Sequence, residues 1–247
     1  MAENQTKTLT IDAKEFRALV SPVLPMACKD DMLPSICAVL IESDGKWLSA
    51  TATDRFRAGI KRIEKHATDD DPTTEWPEFR ALVPVRAVKS LLAMFKPSRG
   101  APSATITMTA GVDDHGCSSL TAEAVGLFDL FDSGRFTHHL VDPNQFPGVR
   151  AVFREALETP DDMRTSTVGV NPSFVADFKA VGCDTLRVVL GSPGKSLVVT
   201  DDEGFIGLLM PRRLLGATHA EPHEDWTAFF AEKPNAKKSS ARKAGAA

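Results

Sequence analysis

One order of elements recurs along this chain: a strand, a helix, then three more strands. Thr8–Ile11 is patterned as a strand, and Asp12 with Glu15 three residues later marks a helix start of capping-box type. Phe16, Leu19, Val20 and Val23 then form an apolar stripe at helical spacing, while Pro22 and Pro25 predict that this helix is short. Ile36–Glu42, a Ser-Asp-Gly turn, Trp47–Thr53 and Phe56–Ile63 read as the three following strands. The order returns with a strand at Phe79–Val83, Pro84 at the first helical turn, and a stripe of Val85, Val88, Leu91, Leu92 and Phe95. Strands are predicted near Ala104–Thr109, at Ser119–Val125 and within Leu127–Leu140. A third copy places a strand at Thr165–Val170, an N-cap at Asn171 before Pro172, a stripe of Phe174, Val175, Phe178 and Val181, and a stop at Gly182. Its strands fall at Thr185–Leu190, Ser196–Thr200 and Phe205–Met210. Such a chain folds as α+β, with helices layered on one face of largely antiparallel sheets.

The last strand ends in a distinctive way. In Gly204–Leu214, GFIGLLMPRRL, an apolar run stops at Met210-Pro211 and two arginines follow. Pro211 lacks a backbone donor, so the strand ends there or lies at an edge. The greasy end is either the rim of a core or a docking groove.

Charge narrows the function classes. The chain has 247 residues, 43% apolar and 25% charged, with a net charge of −4, which excludes a protein that coats nucleic acid with its whole surface. Positive charge is instead concentrated on helix faces. Arg86, Lys89 and Lys96 lie opposite the apolar stripe of the second helix, Lys14 and Arg17 share a face of the first, and Lys179 lies on the third beside Asp177. These are either ordinary solvated faces or a surface that meets phosphates without reading bases. No apolar run is long enough to span a bilayer and the N-terminus has no signal-peptide core, so a cytoplasmic protein is expected. Cys28, Cys37, Cys117 and Cys183 form no C-x-x-C pair, which favours free thiols over metal ligands or disulfides.

With these residues in place, the chain resembles the bacterial DNA polymerase III beta subunit, the DNA sliding clamp. Thr51–Gly59 (TATDRFRAG) is similar to that family's Thr-Asp-Gly turn, and Ala81–Phe95 (ALVPVRAVKSLLAMF) to its strand, proline and helix. Phe136–Val152 (FTHHLVDPNQFPGVRAV) resembles its inter-domain connector, and Gly207–Leu214 (GLLMPRRL) its Met-Pro-containing ending. The resemblance implies a DNA-clamp fold, with residues 1–142 like the middle domain and 143–164 a connector. Residues 165–215 are like the second half of the last domain, and 216–247 form an extension that is basic and disordered towards its end.

The resemblance also implies partners and a site. Helices of a closed ring face double-stranded DNA, so Lys14, Arg17, Arg86, Lys89, Lys96 and Lys179 become the DNA-facing set. A pocket for short polymerase and clamp-loader peptides ending in Leu-Phe would comprise Thr53, Arg57, Pro147, Val152, Leu208, Leu209, Met210, Pro211 and Arg213. Met and Leu supply an adaptable apolar floor, and the flanking arginines would hold a peptide carbonyl or carboxylate. Arg55 stands where that family has Gly, and Ala151 where it often has Arg, so peptide preference is expected to differ. The ring would be a homo-oligomer, a trimer or a tetramer by this reading.

Glu224–Phe230 (EDWTAFF) reads either as a short amphipathic helix or as a segment that enters the pocket of its own or a neighbouring subunit. No nucleophile-elbow, P-loop or zinc-protease motif is present, and Asp69–Asp71 and Asp113–Asp114 read as solvated loops, so no enzyme activity, metal or cofactor is expected. The sequence leaves two functions in play: a processivity factor encircling DNA, or a clamp-like adaptor or inhibitor that binds replisome peptides without encircling it.

Overall fold

The structure, a computed structural model, describes residues 6–66, 73–96, 104–112, 118–125, 134–158, 160, 163, 168–201 and 203–212. Arg213, Cys117, the acidic runs at 69–71 and 113–114, and the extension with EDWTAFF lie outside the described residues.

Strand β1 (Lys7–Asp12) passes directly into helix α1 (Ala13–Val20). The turn is fixed by Asp12, whose carboxylate accepts from the backbone N–H of Lys14 at 2.7 Å and of Glu15 at 3.3 Å. Phe16, Leu19 and Val20 point into the core, and the chain leaves through a 3-10 turn at Leu24–Met26 that starts beside the prolines. Strands β2 (Ala38–Ser43), β3 (Trp47–Thr53) and β4 (Arg57–Glu64) follow. The second unit is β5 (Arg80–Pro84), α2 (Val85–Met94), β6 (Thr105–Val112), β7 (Ser118–Val125) and β8 (Gly134–His139). Pro84 closes β5 and occupies the N-cap rather than the first helical turn.

The leading strands are exchanged between units. β1 pairs with β6, giving a sheet of order β1-β6-β7-β8, while β5 pairs with β2. One large core lies between these layers, built from Leu9, Phe16, Leu19, Ile41, Leu48, Val88, Leu91, Ile106 and their neighbours.

The third unit departs from expectation in three places. Its leading segment is no strand where described: Gly169 makes a single bridge to Arg212. Its helix α4 (Pro172–Asp177) is short, capped by the Asn171 side chain and continued as a 3-10 turn at Phe178–Val181. Val175 is exposed, so the stripe is reduced to Phe178 with partial help from Phe174 and Val181. Gly182 ends the turn with φ +80°, as a left-handed stop requires. Strands β9 (Arg187–Val189), β10 (Leu197–Thr200) and β11 (Phe205–Leu209) then extend the first unit's sheet to seven strands, ordered β5-β2-β3-β4-β11-β10-β9.

The β4–β11 seam joins segments far apart in sequence. It sets Ala58 against Leu208 and Gly59 against Gly207. A Cβ on Gly207 would lie 2.6 Å from Cε1 of Phe178, and one on Gly59 would strike the Met26 sulfur, so both seam positions need hydrogen instead of methyl.

The connector contains an unpredicted helix, α3 (Val149–Leu157). Its Val149, Phe153 and Ala156 pack on Ala58, Val198 and Leu208. Residues alternate across a strand, and Gly59, Val199 and Leu209 face the main core, so α3 covers the opposite face of the sheet at the seam. No helix among the described residues is long and apolar enough to cross a membrane.

Candidate functional site: an apolar groove and a basic helix face

The β3–β4 turn forms one wall of a groove. The Asp54 carboxylate accepts from the N–H of Phe56 at 3.0 Å and of Arg57 at 2.9 Å. Thr53 Oγ1 donates to the Arg57 carbonyl at 2.8 Å and accepts from the Arg55 N–H at 3.2 Å. The Met210 N–H donates to the Phe56 carbonyl at 2.8 Å, tying the end of β11 to this turn. Pro147, before α3, and Val152, on α3, supply the facing wall.

Six of the nine residues expected to form a pocket line a single cavity of about 280 Å³: Thr53, Arg57, Pro147, Val152, Leu208 and Met210. Ala58 and Val149 complete its apolar surface, and Arg55 and Ser196 its polar edge. A second hollow of about 340 Å³ shares Val152, Ser196 and Met210 and reaches Pro160, Met163 and Lys195. Val152 and Met210, 45% and 40% exposed, thus stand between two halves of one apolar trough.

Three expected members fall elsewhere. Leu209 alternates to the other face of β11 and is buried in the main core. Pro211 is half-buried beyond the strand end and does not line the cavity. Arg213 lies outside the described residues.

Arg57 has a different task from the expected one. Its guanidinium is buried, donates through Nε to Asp54 at 2.9 Å and through Nη2 to the Pro25 carbonyl at 2.8 Å, and pairs through Nη1 with Asp177. It also lies 4.4 Å from the Phe174 ring centroid. This head group is fully engaged inside the protein, so it cannot take a peptide carboxylate. The exposed cation lining the first cavity is Arg55, in the left-handed region with φ +76°. Residue type could flag Arg55 as an oddity but not put it in the lining. The helical spacing of Val149, Val152, Phe153 and Ala156 was the signal that could have revealed α3.

The basic set divides likewise. Lys14, Arg86, Lys89, Lys96 and Lys179 are exposed. Arg17 is half-buried and donates to the Leu92 carbonyl, so it fastens α1 to α2. Arg86 and Lys89 border a hollow of about 700 Å³ together with Lys29, a cation that sequence patterning did not select.

No family model matches the chain. It is 30% identical over 147 residues to the beta sliding clamp of Micrococcus luteus, an alignment covering 60% of this chain and 41% of that protein. Among solved structures, its fold is similar to the DNA polymerase III beta subunit of Thermotoga maritima, with TM-score 0.59 at 15% identity over 86% of this chain and 67% of that one. The beta subunit of Streptococcus pyogenes DNA polymerase gives TM-score 0.58 at 17% identity, covering 86% and 68% respectively. The sliding clamp of Pseudomonas aeruginosa gives 0.59 at 17%, covering 84% and 66%. The fold is that of the DNA clamp.

Proposed function

We propose that this homologue of the bacterial beta sliding clamp is a non-enzymatic processivity factor: it closes with further copies into a ring around duplex DNA and docks partner peptides in the Val152–Met210 trough. In this reading residues 1–142 are one clamp domain, 143–164 its connector, and 165–215 part of a second. The observation that carries it is a clamp fold whose α1 and α2 are joined by the Arg17–Leu92 hydrogen bond and leave Lys14, Arg86 and Lys89 exposed. Lysine and arginine on such a face hold phosphates through non-specific, salt-sensitive contacts, which permit sliding. The polymerase and the clamp loader would share the apolar trough.

The test is a primer-extension assay with Arg86→Glu/Lys89→Glu. Reversing two charges on the inner face should shorten products by an order of magnitude and make the remaining DNA contact less dependent on added salt, because fewer phosphates are neutralised. Unchanged product length, with peptide binding intact, would instead favour an adaptor that does not encircle DNA.

A further inference from the structure

We infer that Arg55 gives the trough a preference for peptides that carry a carboxylate beside their apolar anchors. This inference rests on the peptide-docking reading above.

The other charged side chains that line the trough are matched within the protein. Arg57 is held by Asp54 and Asp177, Lys195 by Glu155 at 2.6 Å, and Arg150, beyond Val149, by Glu42 at 2.6 Å. The hydroxyls lining the cavity that holds Arg55 are engaged too: Thr53 donates to the Arg57 carbonyl, and Ser196 to the Met210 sulfur at 3.0 Å. Arg55 lines the same cavity, is exposed, and has no side-chain partner among the described residues. An otherwise apolar trough therefore presents one unmatched positive charge at its lip. A guanidinium fork suits a carboxylate better than any neutral group, because it can give two parallel hydrogen bonds to one charged acceptor. The backbone supports the same assignment. At φ +76° a glycine would rest without strain, whereas arginine carries its Cβ there against a steric penalty. The Asp54 and Thr53 hydrogen bonds hold the turn in that shape whichever residue occupies it, and so aim the side chain outward.

The experiment is isothermal titration of the full chain with two amidated peptides, Glu-Leu-Ser-Leu-Phe and Gln-Leu-Ser-Leu-Phe. At low salt the Glu peptide should bind about 2- to 5-fold more tightly, the range of an exposed ion pair. That ratio should fall to about 1 in roughly 0.5 M salt and in Arg55→Gln, with thermal unfolding confirming that the variant is folded. Arg55→Lys should keep part of it. Equal binding of both peptides by the native chain, a salt-insensitive ratio, or a ratio retained in Arg55→Gln would each overturn the inference while leaving peptide docking in place. If neither peptide binds, the docking reading fails and this inference with it.

Discussion

Arg57 lines the trough while its head group is engaged wholly within the protein. Asp54 positions the β3–β4 turn, and Asp177 and Phe174 belong to α4, so one guanidinium fastens the third unit to the wall of the trough. Arg57→Ala should lower the unfolding free energy by about 2 kcal/mol in urea titration, less than a fully buried pair would give because Asp177 is partly exposed. It should also weaken peptide binding through disorder of the turn. The arginine's place in the lining of the trough was expected from the sequence, but its internal partners were not. Its partners lie up to 120 residues away, and no local pattern announces them. Thiol reactivity is a residue-scale property as well. Burial and the hydrogen bond to Asp31 push the Cys37 thiol up to about 11, whereas Cys183 is exposed. At pH 8 alkylation followed by peptide mass spectrometry should label Cys183 well before Cys37, since the thiolate is the reactive form.

At the scale of elements, the exchange of β1 and β5 bears on why the third leading segment forms no strand over its described residues, 168–170. The strands in the first two units were found within a few residues by alternation and turns. The segment before Asn171 has similar patterning, yet a leading strand here does not pair with its own unit's three strands. β1 needs β6 and β5 needs β2; among the described residues no fourth group of strands offers the third leading segment a sheet. Sequence supplies the strand propensity, but the partner decides the strand. The β10–β11 turn is secured by chemistry that can be titrated. Burial alone would raise the Asp201 carboxyl, but Lys61 on β4, donating at 2.9 Å, and the N–H groups of Phe205 and Glu203 outweigh it and hold it below the usual carboxylate value. A depressed folded value means that the stabilisation is present above the ordinary carboxylate range and is lost as pH falls through the lowered one. Asp201→Asn should therefore cost about 1–2 kcal/mol at pH 7 and flatten the acid side of the stability profile. Gly207→Ala, which sets a methyl against Phe178, should cost about 1–3 kcal/mol at all pH values, by the same measurement.

On the scale of the whole molecule, assembly is the property that a single chain leaves to experiment. Light scattering should give the mass of three or four chains if a ring closes without help; a strict monomer at micromolar concentration would count against closure. The seam between β4 and β11 also fixes an order of events during synthesis. β4 is complete by Glu64, but its partner begins at Phe205. At roughly 5–20 residues per second the ribosome needs on the order of 10 s or more to deliver it. Throughout that interval the nascent chain carries an unpaired edge, the kind of surface on which neighbouring chains add strands. Lys61, Arg62 and Glu64 on that strand are therefore guards of an unfinished sheet before Lys61 becomes the partner of Asp201.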